Sequence, residues 1–156
     1  MRPIRLAATT LALTLAGLAA WAQAEDPFAD SVEMRHGLML SMATELGKLG
    51  AVAKGEVAYD AATATKAAQN VAAIASVLSA DYFPAGSENG KAADSFAKPE
   101  IWQTPDDFLQ KIADLNAAAS AMVSAAATSG DAIKADLKLI GGACQACHTA
   151  YRVPES

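Results

Sequence analysis

Cys144-Gln145-Ala146-Cys147-His148 sets two thiols three positions apart, with an imidazole directly after the second, and it uses both cysteines of the chain. Cys-x-x-Cys-His is the attachment signature of c-type haem. Each thiol can add across one vinyl group of the porphyrin, and His148 is placed to take one axial position on the iron. Residues three apart on a helix share a face, so both sulfurs can reach one porphyrin edge. The nitrogen ligand must be neutral to bind.

Rival chemistries for the pair fit less well. A thioredoxin-like dithiol follows a strand in an α/β fold, and no convincing strand is present in this sequence. A structural zinc site needs four ligands. His36 is the only other histidine, and the adjacency of Cys147 and His148 makes a Cys144, Cys147, His148, His36 set geometrically awkward. A disulfide between Cys144 and Cys147 would leave His148 without a task.

The elements that must position this motif read as helices. The chain after residue 24 is rich in alanine and poor in aromatics and β-branched runs, so the local preference is helical almost throughout. One helix is expected from about Phe28 to Lys54, with Val32, Arg35, His36, Met39, Met42, Leu46 and Leu49 recurring at helical spacing. Asp30 and Ser31 are its start signals and Gly55 its stop. A second is expected from Asp60, as N-cap, to about Ala80, with Val71, Ile74, Val77 and Leu78 as its stripe. Residues 81 to 104 form a long connection with Pro84, Gly86, Gly90 and Pro99 and four aromatics, Tyr82, Phe83, Phe96 and Trp102. A connection of that length in a compact domain usually has a task. Thr104-Pro105 opens a third helix as cap and first position, and Ser129-Gly130 closes it. The fourth runs from Asp131 to about Arg152 and carries the motif. Four amphipathic helices, two short links and one long one predict an all-α, antiparallel four-helix bundle with its haem near the C-terminal helix.

Residues 1–24 read as a secretory signal. Arg2 and Arg5 precede an apolar run from Leu6 to Ala20, and Ala22-Gln23-Ala24 supplies the small-x-small cleavage site. The run is shorter than the ~20 residues that a spanning helix needs, so stable membrane insertion is not expected after removal. A mature domain of residues 25–156 would hold 132 residues, and losing Arg2 and Arg5 leaves 10 basic residues against 17 acidic ones, a formal charge of about −7. That balance argues against nucleic acid, whose phosphates require a basic face. It suits an exported, periplasmic carrier that meets basic redox partners. No cluster of acid, base or nucleophile stands apart from the motif, so no enzyme is expected.

Several motifs in order resemble cytochrome c′ and its class II relatives from Gram-negative bacteria. Besides Cys144-x-x-Cys147-His148 with Tyr151-Arg152, they are Arg35-x-x-x-Met39, Lys54-Gly55-Glu56 with Tyr59-Asp60, and Lys98-Pro99-Glu100-Ile101-Trp102. The resemblance spans essentially all of 25–156. It implies a four-helix bundle, often a homodimer through the first two helices, with one haem c attached through Cys144 and Cys147 near one end. By the same resemblance Arg35 lies near a haem propionate, Met39 over the distal face, Trp102 in the loop near the haem, and Arg152 beside the proximal histidine. Thr149 departs from the acidic residue common after that histidine, and His36 stands where glutamine is frequent.

Met39 decides between two functions. Four positions from Arg35, it shares that helix face. A thioether paired with histidine is an established iron ligand and raises the potential, although methionine also serves as core filling. The low-spin branch of the family ligates iron through this methionine and carries electrons. In the other branch the residue only covers a five-coordinate iron that binds nitric oxide or carbon monoxide. Met39 as ligand is the favoured expectation, with His36 as the lesser candidate.

Overall fold

The structure, a computed structural model, describes residues 26–154. The expected signal segment, residues 1–24, lies outside them. Helix α1 spans Ala29–Ala53, α2 Ala61–Val77, α3 Glu100–Gln103, α4 Pro105–Ala126 and α5 Gly130–Tyr151. A 3-10 turn at Ala80–Tyr82 follows α2. Among the described residues two isolated bridges are the only β pairing.

Local chemistry explains most helix ends. Asp60 accepts the Thr63 amide at 2.8 Å and starts α2; Ser129 accepts the Ala132 amide at 3.1 Å and starts α5. Gly55, at φ +74°, ends α1. Its amide bonds Val52 O while the Glu56 amide bonds Ala51 O, both at 3.0 Å; this is the pairing of a Schellman stop. Four ends differ from expectation. Helix α4 already stops at Ala126, so Ser129 caps α5 instead of closing α4. Helix α1 begins without a side-chain cap, because Asp26 binds the Phe28 amide at 2.8 Å and directs the chain into the helix ahead of Asp30 and Ser31. Helix α2 stops at Val77, where Leu78 turns to extended geometry and Ser79 takes the Asp81 amide instead. Thr104 precedes α4 but makes no capping bond, since its hydroxyl donates to Glu100 O at 3.0 Å and meets the Tyr151 hydroxyl at 2.9 Å.

The long helices pack α1 on α2, α2 on α4, α4 on α5 and α5 back on α1, closing an antiparallel four-helix bundle. Its core is built from Leu49, Val71, Met122, Ile133 and Ile140 with the fully buried Ala68, Ala75, Ala119 and Ala126. These alanines let the helix backbones approach closely. A second cluster of Ala97, Ile101, Phe108 and Tyr151 caps the end where the long connection crosses. That connection is tied down along the last turn of α5. Lys98 N donates to Tyr151 O at 2.9 Å and Val153 N to Phe96 O at 2.8 Å. Lys98 Nζ adds a bond to Thr149 O at 2.9 Å.

Candidate cofactor site

Between the two clusters lies a cavity of about 540 Å³, within the range of about 300–1,000 Å³ usual for cofactor sites. Val32, Met39, Met42 and Leu46 of α1 form one wall; Phe108 and Ile112 of α4 and Cys144 and Cys147 of α5 form others, with Phe83 and Phe96 from the connection. The lining is predominantly apolar, which keeps the interior at low dielectric.

Six of the seven sequence-derived site residues meet here. Cys144, Cys147, His148, Arg35, Met39 and Arg152 all line the cavity, as does His36. Cys144 and Cys147 are half-buried thiols, not joined to each other. Burial pushes both thiols up, Cys147 to about 11 with help from neighbouring Cys144. Trp102 is not on the wall. Its indole donates to Phe83 O at 2.9 Å and so fixes a residue that is. The ring of Phe83 in turn lies 4.8 Å under the Arg35 guanidinium and packs edge-on against Phe108. Phe96 sits under Arg152 at 5.7 Å and 6.2 Å from the His36 ring.

Arg35 tests the fit of the cofactor. It is only 6% exposed, and burial lowers its pKa. Its Nε donates to Ser31 O at 3.2 Å and its Nη2 to Ser87 O at 3.4 Å. Nη1 is buried with no partner. A buried guanidinium with an unpartnered donor beside an apolar cavity calls for an anion, which the carboxylates of a haem would supply. Two thiols suited to the haem vinyl groups, with an imidazole and a thioether of the kinds that ligate haem iron, complete the set.

Sequence reasoning missed two groups. Ser87 and Ser95 carried no motif, yet both are buried beside Arg35. Tyr151 belonged to a recognised pattern without a task; its hydroxyl donates to Asp107 Oδ2 at 2.6 Å and locks the end of α5 to the start of α4. The aromatic density of residues 81–104 was the one available signal for the connection's part in the wall.

The family model described as Cytochrome C′ matches residues 30–152. Cytochrome c-554 of Cereibacter sphaeroides is 47% identical over 152 residues, covering 97% of this chain and 98% of that protein. Among solved structures, the cytochrome c′ from Rhodobacter sphaeroides superposes with a TM-score of 0.77 at 32% identity, covering 82% of this chain and 98% of its own. A variant of cytochrome c prime from Alcaligenes xylosoxidans, solved as a nitric oxide complex, gives 0.72 at 30% identity over 82% of this chain and 97% of that one.

Proposed function

This chain belongs to the cytochrome c′ family, and from that footing we propose that it is an exported, periplasmic electron carrier with His148 as proximal and Met39 as distal iron ligand. The family's cofactor is one covalently attached haem c, and Cys144 and Cys147 are the only cysteines available to attach it. When bound, that group supplies an iron that alternates between ferric and ferrous states. The observation that carries the proposal is that Met39 from α1 and His148 from α5 line one cavity. His148 would offer an imidazole nitrogen, and Met39 a soft sulfur. Arg35 would hold a propionate, Arg152 would lie beside His148, and Trp102 acts at second hand by fixing Phe83. The apolar wall of Val32, Leu46, Phe108 and Ile112 excludes water, which favours the less charged ferrous state. A homodimer through α1 and α2 accompanies this reading, and a signal peptide at residues 1–24 directs export. Among the described residues no helix is long and apolar enough to cross a membrane.

The nitric oxide complex of the Alcaligenes xylosoxidans relative favours a second reading, in which Met39 covers the iron without binding it and a diatomic gas takes the sixth position. Absorption spectra of the purified holoprotein decide. Met39 ligation gives a sharp split α/β pair in the ferrous form, a ferric sulfur-to-iron band towards the red, and slow or absent carbon monoxide binding. Met39→Ala then converts this to a broad high-spin spectrum with rapid carbon monoxide binding. A wild type that is already high-spin, or a variant spectrum identical to wild type, rules out the thioether ligand.

A further inference from the structure

Three residues with polar or charged side chains are buried together at one edge of the cavity: Arg35 at 6% exposure, Ser95 at 4% and Ser87 at 0%. Their bonding has an order. Arg35 has no acidic partner among the described residues, and two backbone carbonyls fix its guanidinium. Ser31 O, four positions back on α1, takes Nε, and Ser87 O, 52 positions away, takes Nη2. Those anchors set the plane of the group and leave Nη1 buried without a partner. The Ser87 carbonyl is therefore the part of the connection that aims the cation.

That carbonyl is itself held by Ser95, whose Oγ donates to Ser87 O at 2.6 Å. The same Oγ accepts the Ala97 amide at 3.3 Å. Asn89 closes the loop from the other limb, with Nδ2 donating to Ser95 O at 2.7 Å and its amide to Ala97 O at 2.8 Å. Directly before Ser95, Asp94 adopts φ +56°, an uncommon conformation for a non-glycine residue. Backbone held in such a region persists where its surroundings over-determine it.

We propose that Ser95 is a positioning residue for Arg35: acting through Ser87 O, it holds the guanidinium at the cavity edge as counter-charge to a carboxylate of the bound haem. The inference rests on the haem reading above and adds a residue that no motif marks. A cation held near the iron disfavours the ferric state and raises the reduction potential, and low dielectric strengthens the effect. Loosening the cation lowers the potential.

Spectroelectrochemical titration of the holoprotein tests this. Ser95→Ala is expected to lower the midpoint potential, Ser95→Thr to restore it, and Asn89→Ala to give a smaller shift in the same direction. Arg35→Gln is expected to lower it further, with no added effect of Ser95→Ala in that background, the non-additivity of residues acting through one another. Ser129→Ala, which removes a helix cap at the start of α5 away from the cavity, controls for lost stability alone and leaves the potential in place. A Ser95→Ala potential equal to that control, or a shift fully additive with Arg35→Gln, overturns the proposal. Haem staining of a denaturing gel separates the two failures. A wild type without covalent haem overturns the haem reading and this one together, whereas a haem-loaded Ser95→Ala protein with an unmoved potential overturns only the role of Ser95.

Discussion

The thiols of Cys144 and Cys147 are half-buried on the cavity wall and burial pushes both up, which disfavours free thiolate redox exchange. Each carries one thioether in the assembled protein. Replacing either one with serine should leave haem bound through the remaining link, while the double variant Cys144→Ser/Cys147→Ser should lose all haem from a denaturing gel. Retention of covalent haem by the double variant would show that another residue attaches it. The distal reading makes a different prediction, since Met39→Ala is expected to alter the spectrum while leaving both covalent links intact. A methionine ligand and two thioethers would thus have separable signatures, one optical and one covalent.

Between α4 and α5, one hydroxyl joins two elements of the cavity wall. Tyr151 lies one turn beyond His148 and donates to Asp107, which also bonds Lys111 at 3.1 Å. The Tyr151 hydroxyl first, and Lys111 second, hold the Asp107 carboxyl below its ordinary pKa. Such a group stabilises the fold above its unfolded pKa and ceases to as pH falls through the folded value. Asp26 and Asp60 are depressed in the same way by the amides and side chains they bind. The Tyr151 phenol is displaced upwards, by burial first and Asp107 second, so its contribution is full below its ordinary range and fades above it. Thermal stability should accordingly fall below about pH 4 and again above about pH 10. Tyr151→Phe should lower Tm by a few degrees at neutral pH and flatten both edges. Circular dichroism melts across pH check this; an unchanged profile would show that the hydroxyl does not link the two helices energetically.

Across the whole bundle, close helix approach depends on alanine. Ala119 of α4 and Ala68 of α2 have no exposed surface, so no room exists there for a larger side chain. Ala119→Leu should destabilise the protein by about 1–3 kcal/mol through overpacking. Truncating a large core residue, as in Ile133→Ala, should cost about 2–5 kcal/mol through the cavity it leaves. Denaturant titration measures both, and a neutral Ala119→Leu would mean that the α2–α4 contact is looser than its burial implies. The acidic surface adds a rate effect. Electron exchange with an anionic reagent should speed up as salt screens the repulsion.

By itself the sequence determined the helical content, the positions of two long-helix boundaries at Gly55 and Asp60, and the attachment motif. Each of these is encoded within a few residues: an alanine-rich turn, a carboxylate three positions from the amide it caps, two cysteines one helical turn apart. The family resemblance added Arg35, Met39 and Arg152, and the fold brings all three to the cavity. Only the tertiary structure decided the rest. Thr104 gives up its capping role because Tyr151, 47 positions later, lies beside it. Trp102 leaves the wall because Phe83 O accepts its indole N–H. Arg35 and Ser87 meet across 52 positions, and nothing in the spacing of either announces the other. Partners that distant are selected by how the helices pack, so the polar edge of the site becomes visible only once the bundle has closed around it.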